Sequence, residues 1–318
     1  MSPAVSRLFS KKREPLVDDS PNYLDPQTLA RLNGLDLKAR LIVEGFVSGL
    51  HRSPYHGFSV EFAEHREYVP GDDLRYVDWK VFGRKDRYYL KQFEEETNFA
   101  CSLLLDTSQS MNYRSEAAAM SKLEYAKHAA AAIAYLTIQQ QDAVGLVTFA
   151  DAVQDFVRPS SQPSHLRQLF HMLGQANPGG DTSLGPVLHD LAERIRKRGL
   201  VIVFSDLFDD PETLLLGLKH FRHRRHDVSV IHVVDPAEQD FPFEEPTLFK
   251  GMEQPVESLT EPRTIAQAYR NEFAGFLKAM AANCRNLGMD YHLLRTDQPL
   301  DMALTSFLQT RARVGRSV

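Results

Sequence analysis

The chain has 318 residues, 43% apolar and 25% charged, proportions of an ordinary globular protein that exclude a disordered, collagenous or membrane-embedded class. Lys plus Arg number 37 against 42 Asp plus Glu, a net charge of -5, so no overall basic field draws in a phosphate backbone and nucleic acid is not an expected partner. The length admits one large domain or two ordinary ones.

Residues 1–25 carry Lys11, Lys12 and Arg13 and then Asp18 and Asp19, without the apolar run of a secretory signal, and are expected to form a loose tail. The two cysteines, Cys101 and Cys284, are too few and too scattered for a disulfide framework, which fits a reducing cytoplasm. The richest apolar window, Ala129 to Ile138, falls short of a membrane span and predicts a buried Ala-rich helix, so no integral membrane segment is expected.

A small helix-plus-β-hairpin unit is expected over 26–97. Leu29, Leu32, Leu37, Leu41 and Val43 predict one or two short helices, with Asp25 as N-cap ahead of Pro26. Residues 58–96 then alternate polar and apolar, as half-buried antiparallel strands do, ending in the acidic run Glu94, Glu95, Glu96. Over 98–314 buried strands alternate with helices, the pattern of an α/β domain with a mostly parallel sheet. Strands are predicted at 100–105, 144–149, 200–205, 228–234 and 289–294. Helices are predicted near 121–140, 163–173, 184–197, 211–223, 263–286 and 299–312. Ile265, Tyr269, Phe273, Phe276 and Met280 recur at helical spacing and are expected to form one stripe against the sheet. The basic run from Lys219 to His226 ends a helix, where cations complement the dipole. Glu244 and Glu245 fall in a Pro-rich insertion or loop.

Chemistry in such a sheet gathers at the carboxyl ends of its strands. The first buried strand runs into Asp106, Ser108 and Ser110, which alternate and can offer one carboxylate and two hydroxyls to a single point. The third ends in Ser205 and Asp206, and the loop Gly179–Gly180–Asp181–Thr182–Ser183 opens a helix between them. Two carboxylates and three hydroxyls form a hard, all-oxygen set that suits Mg²⁺, with Mn²⁺ as a substitute, and disfavours zinc or copper. The bland reading of Asp-x-Ser-x-Ser alone is a strand end followed by a helix cap.

These residues resemble the metal-ion-dependent adhesion site of von Willebrand factor A domains, with Asp106, Ser108, Ser110, Thr182 and Asp206 matching its metal positions one by one. Asp181 departs from the commoner Gly-Gly-Thr order, which leaves Ser183 as the alternative to Thr182. Upstream, E-F-A-E-H-R-E-Y-V-P-G-D-D-L-R-Y-V-D-W-K from Glu61 is similar to the hallmark of a bacterial family of von Willebrand A-like proteins known as domain of unknown function 58. With F-S-D-L-F-D from Phe204, the resemblance covers about 36–312. It implies a cytoplasmic adaptor that works with a MoxR-type AAA+ ATPase or its client in protein maturation or complex assembly. The Gly71–Lys80 motif, with the single tryptophan Trp79, is expected to fasten the hairpin unit to the sheet domain.

The competing class is a Mg²⁺-dependent phosphoesterase or other hydrolase. It lacks support, because no second aspartate stands two residues after Asp106, no Lys-containing phosphate loop follows, and no Gly-x-Ser-x-Gly elbow or nucleophile with its base is found. No catalytic residue is therefore assigned. A metal-dependent protein-binding module is the expected function, its partner supplying an acidic side chain to the ion.

Overall fold

A computed structural model describes residues 26–30, 34–52, 66–67, 89–90, 100–180, 182–253, 257–301 and 304–305. Asp25, the Gly71–Lys80 motif with Trp79, the acidic run 94–96, Asp181 and most of the last expected helix lie outside these residues.

The N-terminal region contributes α1 (Pro26–Ala30) and α2 (Leu35–Arg52), followed by the paired antiparallel strands β1 (Arg66–Glu67) and β2 (Tyr89–Leu90). Leu29, Ala39, Ile42 and Val43 are buried in the same core as the main sheet, while Leu37 is exposed.

The main sheet is built from β3 (Ala100–Asp106), β4 (Ala143–Phe149), β5 (Val153–Ser160), β6 (Leu200–Ser205), β7 (Asp227–Val234) and β10 (Asp290–Arg295). Around it lie α3 (Lys122–Gln139), α4 (His165–Gln175), α5 (Leu184–Arg194), α6 (Pro211–His223) and α8 (Pro262–Asn286). Between β7 and α8 the chain forms the short α7 (Pro236–Asp240) and a separate antiparallel hairpin, β8 (Thr247–Lys250) with β9 (Glu257–Thr260). The strand order is β10-β7-β6-β3-β4-β5, with every neighbour parallel except β4 and β5. This is the expected mostly parallel sheet flanked by helices.

The antiparallel edge strand β5 departs from the parallel pattern expected of this region. Only residues 150–152 separate it from β4, far too few for a crossover, so the chain turns straight back. Gly145 of β4 permits the approach, since a Cβ there would stand 2.7 Å from the Val157 carbonyl oxygen.

Both faces of the sheet are covered, which explains why its central strands are almost continuously apolar, with Ser102 of β3 and Ser229 and His232 of β7 as buried exceptions. Leu103, Leu105, Ile202 and Phe204 face the core shared with α2, α3 and α4. Leu104, Val201 and Val203 alternate to the other face, against α5, α6 and α8. The Ala-rich α3 is buried along nearly its whole length between sheet and α2, and no helix among the described residues is long and apolar enough to cross a membrane.

Helices α5 and α6 pack closely through two glycines. A Cβ on Gly185 would meet the Thr213 backbone at 2.7 Å, and one on Gly217 would meet the Gly185 carbonyl oxygen at 2.7 Å. The basic segment at the end of α6 is tied up locally: His220 and Arg224 both reach Glu193, and Arg222 pairs with Asp227.

The expected stripe of α8 is only half correct. Met280 and Cys284 are buried in the core, but Ile265 is exposed and Tyr269, Phe273 and Phe276 are half-buried, because the amino-terminal half of the helix runs past the sheet and walls a cleft instead.

Candidate functional site

The strand order reverses at β3, whose neighbours β4 and β6 lie on opposite sides, so the crevice at the carboxyl ends of β3 and β6 is the switch point of the sheet. Asp106 ends β3 and Asp206 directly follows β6. Both are buried.

Local hydrogen bonds fix these side chains. Asp106 Oδ1 accepts from the Ser108 amide at 2.9 Å, and Oδ2 accepts from Ser205 Oγ at 2.6 Å. Ser205 Oγ also accepts from the Leu207 amide at 2.9 Å, which bends the chain back over the strand end. Leu207 adopts a left-handed conformation, φ 55°, costing a non-glycine residue roughly 1 kcal/mol, a strain that such sites commonly hold. The hydroxyls of Ser108 and Ser110 are 3.1 Å apart. The loop after β3 is strapped to the one before α5, since Gly179 donates to the Thr107 carbonyl at 2.9 Å and Gln109 to the Gly180 carbonyl at 3.2 Å.

Thr182 reaches the site from that second loop, while Ser183 takes the N-cap position of α5 without a side-chain cap bond. Asp209 holds the start of this helix, its Oδ2 accepting from the amides of Leu184 at 2.7 Å and Gly185 at 3.3 Å. The F-S-D-L-F-D segment thus places Asp206 in the crevice and fastens the Thr182 loop beside it.

Four further residues complete the site and were not singled out in the sequence as parts of it. Ser205 is the first, through its bond to Asp106. Lys122, buried at the start of α3, donates to Asp206 at 2.7 Å and to Glu238 at 2.5 Å. Glu238 belongs to a capping box on α7, its other oxygen accepting from the Asp235 amide at 2.7 Å. D-P-x-E after a strand signals that cap, but nothing in the sequence points Glu238 toward Lys122. Glu253, beyond β8, accepts from the Ser110 amide at 3.3 Å, the Thr182 amide at 3.0 Å and the Thr182 hydroxyl.

The electrostatics separate the two aspartates. Burial first, and the charge of Asp206 second, push the Asp106 carboxyl up to about 7 against the hydrogen bonds from Ser205 and Ser108. Burial acts in the same direction on Asp206, but the Lys122 ammonium and the bonds from Lys122 and Ser110 outweigh it and hold that carboxyl below its ordinary range. Lys122 is itself desolvated, yet Asp206 and Glu238 raise it. One carboxylate is therefore compensated by a buried cation and the other is not.

The donor set fits a hard divalent ion. Asp106 is buried and accepts from the Ser108 amide and the Ser205 hydroxyl, with the Ser110 hydroxyl beside Ser108 as a further oxygen, while the Lys122 ammonium takes up one oxygen of Asp206 and one of Glu238. Among the described residues no three His, Cys, Asp and Glu side chains cluster as metal ligands, so hydroxyls must take part in holding an ion here.

A cleft of about 630 Å³ adjoins Asp206, Thr182 and Glu253, walled by Phe208, Tyr269, Phe273 and Phe276. Phe208 is 72% exposed, two residues from Asp206. The site thus opens beside an aromatic wall.

Uncharacterised proteins of Mycobacterium bovis and Mycobacterium tuberculosis are 27% identical to this chain over 317 residues, covering 96% of it and 98% of each relative. Among solved structures, conserved hypothetical protein BatB from Bacteroides thetaiotaomicron is similar with a TM-score of 0.46 and 16% identity, over 69% of this chain and 99% of that one. The SpRpn10 VWA domain is similar with a TM-score of 0.40 and 15% identity, over 65% and 93%. A family model matches residues 64–282, and the chain belongs to the family described as protein of unknown function DUF58.

Proposed function

We propose that this chain is a metal-dependent protein-binding module, with Asp106, Ser108, Ser110, Thr182 and Asp206 holding Mg²⁺ or Mn²⁺ directly or through water. The observation that carries this reading is the fully buried Asp106 carboxyl, held by the Ser108 amide and the Ser205 hydroxyl, beside two further hydroxyls at the switch point of the sheet. The ion would supply an electrophilic centre for a carboxylate oxygen of the partner. Ser205 and the Ser108 amide orient Asp106, Lys122 keeps Asp206 ionised, and Asp209 positions the Thr182 loop. Phe208 and the aromatic wall offer apolar surface next to the charged centre, the pairing of anchor and orienting group that protein recognition uses.

The partner we propose is a MoxR-type AAA+ ATPase or a client presented to one, in the cytoplasm, with this chain as adaptor in protein maturation or complex assembly. The support for that name is the family resemblance of the motifs; the support for an acidic anchor is the donor chemistry. Affinity capture from native lysate, with and without Mg²⁺, tests it. Wild type should retain an AAA+ ATPase only with Mg²⁺, and Asp106→Ala should retain none. Capture that survives EDTA or the substitution would place docking elsewhere.

A further inference from the structure

We infer that Glu253 is the site's own carboxylate, an internal ligand delivered by the β8–β9 hairpin to the place an incoming acidic side chain would take. This rests on the metal-binding reading above and identifies what a partner must displace.

Three donors converge on Glu253: Oε1 accepts from the Ser110 amide at 3.3 Å and from the Thr182 hydroxyl, and Oε2 accepts from the Thr182 amide at 3.0 Å. Ser110 and Thr182 sit on different loops, and both belong to the proposed ligand set. The carboxylate therefore bridges the mouth of the site. A carboxylate has about four acceptor positions, so three protein bonds leave one directed contact for an ion. Helix capping does not account for the arrangement, because Asp209 already satisfies the first amides of α5.

The hairpin that carries Glu253 stands outside the main sheet. Its docking is aromatic: Phe249 lies 5.8 Å from Phe241 and 5.2 Å from Phe243, and Phe241 lies 4.5 Å from Tyr269 of α8. Its other apolar side chains, Leu248, Met252 and Leu259, are exposed. Such an attachment, with little apolar area buried, suits an element that swings aside at small cost. The charge of Glu253, held on Ser110 and Thr182 at the mouth of the site, also offsets that of a divalent ion, which weakens its pull on a partner's carboxylate until Glu253 leaves.

Two measurements on the full chain test this, with Mn²⁺ alone as the probe. Electron paramagnetic resonance and water-proton relaxation should show Glu253→Ala binding Mn²⁺ at least about tenfold more weakly, since loss of even an outer partner of a metal ligand costs about ten- to a hundredfold, with stronger relaxation because water enters the vacated place. In EDTA, hydrogen exchange over 107–113 and 182–185 should be faster in Glu253→Ala than in wild type. The assignment requires both results. Unchanged Mn²⁺ affinity and relaxation in Glu253→Ala, with binding lost in Asp106→Ala, would overturn the Glu253 ligand and leave the metal site standing. Failure of wild type to bind Mn²⁺, with exchange still accelerated by Glu253→Ala, would overturn the metal reading instead. Unchanged exchange would show that Glu253 does not hold the two loops.

Discussion

Asp106, Ser205 and Asp206 reach the candidate site from the ends of two buried strands, whereas Thr182 and Glu253 reach it from loops over an open cleft. The strand-end half is fixed by the sheet register and by hydrogen bonds inside the core. The loop half is held by one exposed hairpin and one helix start. The first half thus sets where charge sits, and the fold is most sensitive there to loss of the cation that pairs with Asp206, while the second can change its occupant with little effect on the fold.

The largest effect should come from breaking the strand-end half. Lys122→Ala leaves Asp206 buried without its cation, and loss of one partner from a buried pair costs about 3–5 kcal/mol. Urea denaturation should show a loss of that size. A loss below about 1 kcal/mol would mean that water replaces the ammonium and that this half is not sealed.

Acid should act next, away from the site, on the seam between α2 and α3. Burial, reinforced by Lys38, lowers the imidazole of His128 to about 4, with Lys127 in the same sense and Glu124 opposing. Lys38 Nζ stands 3.1 Å from His128 Nε2, which must be neutral to accept. The folded state then binds fewer protons than the unfolded chain between about pH 4 and the ordinary histidine value near 6.5, so stability rises with pH across that window. The contribution is full above about 6.5 and is lost as pH falls toward 4, on the order of 3 kcal/mol. His128→Asn should flatten the midpoint-versus-pH curve there; an unchanged slope would assign acid sensitivity to other groups.

Gly217→Ala tests the loop half from the side of α5. The added methyl meets the Gly185 carbonyl oxygen, and overpacking of this kind costs about 1–3 kcal/mol. Because α5 carries the Thr182 loop, Mn²⁺ affinity should fall while the Asp106 side stays in place. A destabilised variant with wild-type Mn²⁺ affinity would uncouple helix packing from the loop. The smallest stability effect belongs to Glu253→Ala, about 1 kcal/mol by thermal unfolding, for the loss of a half-buried carboxylate that accepts three hydrogen bonds at an open cleft. A larger loss would make the hairpin part of the core.

The strand-end half was legible in the sequence for a physical reason. A strand buried on both faces reads as an unbroken apolar run, and Asp106 and Asp206 interrupt two such runs at their ends. The fold followed from the same runs and their helical spacers. Edge strand β5 was missed because its alternation is weak and its turn from β4 carries no glycine or proline. Lys122, Glu238 and Glu253 were missed because their meeting with Asp206, Ser110 and Thr182 spans from 71 to 143 positions along the chain. No local pattern encodes such a contact. The aromatic stripe of α8 was visible, but periodicity tells which residues share a face and not whether the sheet extends far enough to cover it.

In the proposed function the buried Asp106 carboxyl organises a divalent-ion site. Calorimetric titration of Mg²⁺ into wild type and Asp106→Asn tests it directly, with urea denaturation as the control for folding. Asparagine keeps the size of the side chain and removes the charge. The account predicts saturable binding by wild type, none by Asp106→Asn, and an unfolding free energy for the metal-free variant no lower than wild type by more than about 1 kcal/mol. Equal Mg²⁺ affinity in the two proteins would contradict it.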